Sequence, residues 1–289
     1  MSYANFIPGV WAEGIERELE RLCVFAEDCN RKYEGSVKKR GESVTILGVG
    51  KPTIKSLAKK SRNNAIDDAE TVEDTSVTLE IDQIRYFNYE VGDIDKAQSV
   101  GGIMDALAAE TSEGLASAED EHIASFAADS NVKKLYGNAP LKVVAGEAAN
   151  ASEVNVLHAI DAAVQQLYEN DVSGNTKIVI TVSPRFYTLL KRAYVDIDTN
   201  NSEMLKNGKV GMYGDVVVKR SNNVYKTDNG TVDHIMIRTQ RAVAHVRAMV
   251  HTEAYRPEKK FSDAVKGFTL FGTKIVRPKE MIDINVKYA

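Results

Sequence analysis

The chain has 289 residues, 43% apolar and 27% charged, the balance of an ordinary globular protein with room for about two domains. Its 37 basic and 41 acidic residues leave a net charge of −4, which excludes global attraction to nucleic acid or an anionic membrane. No run approaches the roughly 18 apolar residues of a membrane span, the opening lacks a secretory pattern, and two cysteines make no disulfide framework, so reducing, cytoplasmic synthesis is the expectation.

The first segment, Trp11–Arg31, reads as an amphipathic helix, with Trp11, Ile15, Leu19, Leu22 and Phe25 or Ala26 at spacings of four and three. Upstream, Phe6-Ile-Pro-Gly is extended and ends in a turn signal. Ser36–Gly50 and Thr75–Val91 alternate in the manner of strands. The polar connection Lys51–Asp74 between them, about 24 residues, is longer than compact domains usually tolerate, so the pair is expected to form a protruding hairpin. Asp95-Lys-Ala-Gln98 has the form of a capping box, and Gln98–Ser130 then reads as one long helix with Gly114 in its middle. At 1.5 Å per residue that helix spans about 50 Å and serves as a spine rather than a layer.

The second half has an α/β pattern. Ser152 can cap a helix whose face is Leu157, Ile160, Val164, Leu167 and Tyr168. Lys177–Val182 is a buried strand, and Ser183-Pro184 starts a helix through about Val195. Asp196–Gly208 is a polar loop, strands follow at Asp215–Lys219 and His234–Arg238, and Arg241–His251 fits helix or strand. Gly267–Val286 closes the chain as two strands punctuated by Gly272 and Pro278.

A search for chemistry returns little. Gly48-Val-Gly-Lys-Pro-Thr53 lacks the first glycine and the Ser or Thr of a phosphate loop, and it reads as a hairpin turn. Five scattered histidines and two cysteines lack metal-site spacing, so no metal or cofactor is expected. Cys23 and Cys29 are expected to be small buried thiols. No Gly-x-Ser-x-Gly elbow exists, and Ser183 is explained by capping. Glu119-Asp-Glu121 diverge around a helix and read as a solvated or partner-facing surface rather than paired carboxylates. Asn229-Gly-Thr231 is only a turn.

Charge is strongly segmental: residues 1–30 sum to −4, 31–62 to +8, 63–129 to −15 and 130–289 to +7. A monomer gains little from such blocks, whereas copies in contact can lay a basic segment on an acidic one. The basic run Arg31–Arg62 lacks the interleaved aromatics of a single-strand binding platform.

The order of parts resembles the major capsid proteins of tailed phages, the Hong Kong 97 fold. Phe6-Ile-Pro-Gly-Val-Trp11 is similar to the arm before the first helix, and Tyr33-Glu-Gly with Lys39-Arg-Gly-Glu-Ser-Val-Thr-Ile46 to the start of the extended loop. Asp82–Gln98 resembles the return strand and the start of the spine helix. Ile178–Leu190, Gly208–Val218 and Ser221-Asn-Asn resemble the axial domain, and Phe261–Gly272 the closing part of the peripheral domain. The resemblance implies an α+β capsid fold divided into an arm and helix (1–34), an extended hairpin loop (35–80), a peripheral domain with the spine helix (81–145), an axial domain (146–245) and a return to the peripheral domain (246–289).

It further implies a non-enzymatic shell protein of the virion, assembled in the host cytoplasm as pentamers and hexamers around double-stranded DNA, with no cofactor and no membrane. Because the arm begins almost at Met1, a separate scaffolding protein or none is expected, and no residue matches the family's lysine–asparagine cross-link. An encapsulin-like nanocompartment shell is the alternative, and a two-domain enzyme a remote one. The charge blocks predict an intersubunit contact of Lys51, Lys55, Lys59, Lys60 and Arg62 with Asp105, Glu113, Glu119 and Asp120 of a neighbour.

Overall fold

A computed structural model describes residues 22–34, 43–49, 74–92, 103–148, 153–196, 212–214 and 216–288. Of the expected helix Trp11–Arg31, residues 11–21 lie outside the described residues; Leu22 is helical and Ala26–Asp28 is a single 3-10 turn, so the helix does not continue to Arg31. Strands β1 (Ser43–Val49) and β2 (Asp74–Glu80) pair antiparallel as the root of the expected hairpin, whose connection lies outside the described residues.

The expected strand Thr75–Val91 divides at Ile81-Asp82, because β3 (Gln83–Gly92) joins a different sheet. Gly272 permits the close approach of the backbone at this point: a Cβ there would lie 2.4 Å from the Glu80 carbonyl oxygen and 3.1 Å from Ile81 Cα. Helix α1 (Ile103–Ala124) runs unbroken past Gly114 and ends in a 3-10 turn, Ser125–Ala128. Of the remaining expected helical residues, Asp129 and Ser130 are not helical and 98–102 lie outside the described chain.

Short strands β4 (Lys133–Lys134), β5 (Leu141–Val144) and β6 (Glu153–Asn155) lead into helix α2 (Val156–Glu169). Its N-cap is Asn155, whose side chain accepts the Leu157 N–H at 2.8 Å; Ser152 lies outside the described residues. Strand β7 (Ile178–Val182) is wholly buried. Helix α3 (Pro184–Asp196) starts as expected, with Ser183 Oγ accepting the Phe186 N–H.

Then come β8 (Met212–Tyr213), β9 (Val216–Arg220), β10 (Lys226–Thr227), β11 (Val232–Thr239), β12 (Val243–Tyr255), β13 (Ser262–Ile275) and β14 (Met281–Tyr288). Arg241–His251, open to either reading, is strand from Val243 onward.

Among the described residues the larger sheet runs β6-β5-β14-β11-β7-β9-β8, with β4 and β10 at its margins. The smaller sheet is β12-β13-β3, antiparallel throughout. Strand β13 lies in the smaller sheet, while β14 pairs with β11 near the middle of the larger one.

Alternation along β11 and β14 gives the larger sheet two cores. Ile235, Ile237, Ile282, Ile284 and Val286 pack under α2 and α3. Met236 and Met281 face the other way, toward Phe25, Leu115, Ile123 and Val243. A third cluster seats the hairpin root, Ile46 and Leu79, on Ala244, Val246 and Leu270 of the smaller sheet. Among the described residues no helix is long and apolar enough to cross a membrane.

The two glycines give opposite expectations. Gly114 has open space around its Cβ position, so Gly114→Ala should raise stability by about 1 kcal/mol through helix propensity alone. Gly272→Ala should lower it by about 1–3 kcal/mol, since its neighbours are backbone atoms. Urea denaturation of the unassembled subunit measures both.

Candidate functional site

The side chains that carry chemistry in enzymes have structural partners here. Tyr288 donates its hydroxyl proton to Asp233 at 2.7 Å, which leaves Ser183 to donate to the Tyr288 oxygen at 2.6 Å. His234 lies between Asp283 (2.8 Å) and Thr227 (3.0 Å), and His122 rests edge-on against Phe126 and Phe271. Among the described residues no group of three or more His, Cys, Asp and Glu side chains is placed to hold a metal ion.

The dense polar site lies elsewhere, around Cys23–Asn30, between the two sheets and the spine helix. Asp120 of α1 is buried, and its carboxylate accepts the backbone N–H groups of Val24 (2.7 Å), Phe25 (2.9 Å) and Ala26 (3.2 Å). Arg238 of β11 reaches the same segment from the larger sheet, donating to the carbonyls of Phe25 (2.6 Å) and Asp28 (2.8 Å). Lys177 (2.9 Å) and Lys219 (2.5 Å) pair with the buried Asp28 carboxylate. Against the cost of burial, they hold that carboxyl below its ordinary value.

The smaller sheet is tied in by backbone. Asn30 donates to the Val243 carbonyl at 2.8 Å and accepts the His245 N–H at 3.1 Å. Arg247, on the same face of β12, grips Glu119 of α1 with two bonds, Nη2 to Oε2 at 2.6 Å and Nε to Oε1 at 3.1 Å. Cys23 completes this corner, its thiol donating to Glu119 at 3.8 Å. Burial, followed by the charges of Glu119 and Asp120, pushes that thiol up to about 12, and Cys29 is raised by burial as well, so both remain protonated, inert thiols.

Glu119 and Asp120, expected to meet a neighbouring subunit, are thus used inside their own. Both are essentially inaccessible, at 0% and 1% exposure. The sequence carried the signal: Glu119 stands four residues after Leu115 and four before Ile123, on the apolar stripe itself. Glu113 is exposed on α1, where an intermolecular contact can reach it. Asp105 belongs to α1, while Lys51, Lys55, Lys59, Lys60 and Arg62 lie outside the described residues. Sequence reasoning missed Arg238 and Arg247, whose place in period-two strands beside Met236 and His245 marks them as inward-facing.

Two buried groups give this site opposing pH responses. Burial outweighs the three N–H bonds to Asp120 and pushes its carboxyl up from an ordinary 3.8 to about 6. Burial, reinforced by the Arg247 charge, drops His245 from 6.5 to about 3. As pH falls from about 6 toward 3.8, the folded chain takes a proton on Asp120 that the unfolded chain refuses, which favours folding. Over the same window the unfolded chain takes a proton on His245 that the folded chain refuses, which favours unfolding. The two nearly cancel. Asp120→Asn should leave the His245 response alone, with stability falling by about 1.4 kcal/mol per pH unit. His245→Gln should reverse the slope. Urea titrations at the two ends of the window decide; equal slopes in wild type and D120N would overturn the pairing.

No protein-family model and no curated protein sequence matches the chain. Solved structures do. A structure from Mycobacterium phage Che8 is 28% identical, covering 91% of this chain and 90% of its own, with a TM-score of 0.72. The capsid of the cyanophage P-SCSP1u is 15% identical over 92% of this chain and 89% of its own, with a TM-score of 0.67. A virus-like particle from Pyrococcus furiosus is 12% identical over 96% and 98%, with a TM-score of 0.56. The hairpin root, spine helix and two-sheet body arranged around the Cys23–Asn30 segment thus have the fold shared by the Che8 structure and the cyanophage P-SCSP1u capsid.

Proposed function

We propose that copies of this chain close into an icosahedral capsid around double-stranded phage DNA, as pentamers and hexamers, and that the chain catalyses no reaction. The observation that carries this reading is the similarity to a phage protein over nine-tenths of both chains at 28% identity, with no large part left over for another activity. The site geometry supports it. The polar residues of the Cys23–Asn30 site fix three elements of one subunit to one another, which suits a building block that must keep its shape under load. Assembly takes place in the host cytoplasm, either with a separate scaffolding protein or with none. No observation favours the nanocompartment reading over the phage shell.

Expression, with a scaffold supplied where one is encoded beside it, should give particles or capsomers far larger than 31.8 kDa by negative-stain microscopy and light scattering. A single monomer peak at high concentration would overturn the reading. Particles holding nuclease-protected DNA in infected cells support the phage shell over a protein-filled compartment.

The basic hairpin belongs to the same proposal. With Glu119 and Asp120 enclosed, its acceptors on the spine helix of the neighbour reduce to Asp105 and Glu113. Exposed pairs contribute about 0.2–1 kcal/mol each, so single changes should be silent. The triple change Lys55→Glu, Lys59→Glu and Lys60→Glu should leave the subunit folded, by circular dichroism, and slow assembly at low salt. Normal assembly of that variant at low salt would remove the hairpin charge from the account.

A further inference from the structure

The two helices that cover the larger sheet carry opposite charge. Helix α2 has no Lys or Arg; Asp161 and Glu169 are exposed on it, with Glu169 also accepting from Gln165 at 3.0 Å. Helix α3 through Ala193 has no acid, and presents Arg185, Lys191 and Arg192. Arg220, at the end of β9, adds to the same side: Lys191 and Arg220 flank the Tyr187 ring at 5.6 and 5.7 Å. Arg185 stands 6.0 Å from the Tyr288 ring. Among the described residues none of these four cations forms an ion pair with a carboxylate.

Topology lays the two helices side by side, in contact, with α2 toward one end of the sheet and α3 toward the other. Helix α2 follows β6, at one end of the sheet order, and packs over β6 and β14. Helix α3 connects the adjacent parallel strands β7 and β9, beside β8 at the other end. Each end also exposes one large apolar side chain, Tyr168 (38%) on α2 and Met212 (62%) on β8. The helices of the layer are therefore acidic at α2 and basic at α3, with Lys133 of β4 donating to Gln166 of α2 at 2.5 Å and Lys142 of β5 paired with Glu153.

We infer that the basic α3–β9 edge of one copy docks on the acidic α2 edge of the next, and that this charge pairing makes the contact head-to-tail. A two-fold contact through either edge would set like charge against like. Joining the two different edges sets opposite charges together, and such heterologous contacts close into rings when the rotation allows. The inference rests on the shell reading and names the surfaces by which neighbours in a ring meet.

The test uses the full chain under conditions in which the wild type forms capsomers. Arg185→Glu with Arg192→Glu, and separately Asp161→Lys with Glu169→Lys, should each raise the protein concentration needed for capsomers by about tenfold at low salt. Combining all four changes should restore it, and the difference should shrink in high salt. Unchanged circular dichroism separates loss of contact from loss of fold. Normal capsomer formation by both double variants would overturn the inference. So would failure of the four-fold variant to recover while DNA content alone drops, which would assign the basic edge to nucleic acid. A wild type that never leaves the monomer fails the shell reading itself, and is distinguishable because no variant is then needed to see it.

Discussion

Two guanidinium groups, Arg238 and Arg247, and the carboxylates of Asp28, Glu119 and Asp120 are withdrawn from water within one stretch of this subunit. A buried charge left alone costs several kcal/mol, so each of these groups dictates where its partner must be. Their partners lie on β11, β12, α1 and the segment Cys23–Asn30, elements separated by as many as 224 positions in the chain. Apolar contact between the same elements would tolerate sliding, because it has no preferred direction. Hydrogen-bonded charge does not. The relative placement of the two sheets and the spine helix follows from that requirement.

The segment Cys23–Asn30 is irregular for the same reason. Three successive N–H groups, Val24 to Ala26, converge on one carboxylate, and the carbonyls of Phe25 and Asp28 face Arg238. A continuous helix would spend those groups within itself. The tertiary demand overrides the amphipathic pattern that Leu22, Phe25 and Ala26 continue from upstream.

This explains which parts could be read in advance. Strand β7, the Ser183-Pro184 start of α3 and the body of α1 are decided by neighbours within a few residues, so periodicity and capping rules find them. The backbone at Glu80-Ile81 passes close to Gly272, nearly two hundred positions away, and the place of β14 depends on pairing with β11. No local pattern reports either. The polar site fell between the two cases. Glu119 and Asp120 could be placed by helical register, yet acid on a helix next to Glu121 has the composition of a wet surface. Only the inward-facing arginines of two distant strands turn that composition into a core.

Strand β12 begins at this site and ends far from it. Its thirteen residues pair along β13 from Val243 against Ile275 to Tyr255 against Ala264, a ribbon about 40 Å long. Phe261, 87% exposed, sits just before β13 at the far end, and the Asn30–Ala244 bridge and the Arg247–Glu119 grip hold the near end. With β3 paired along β13 to the same far end, the three strands form a sheet clamped at one end, a cantilever. A load on its tip applies a torque at the clamp, so strain imposed at the far end is felt first by the most deeply enclosed charges.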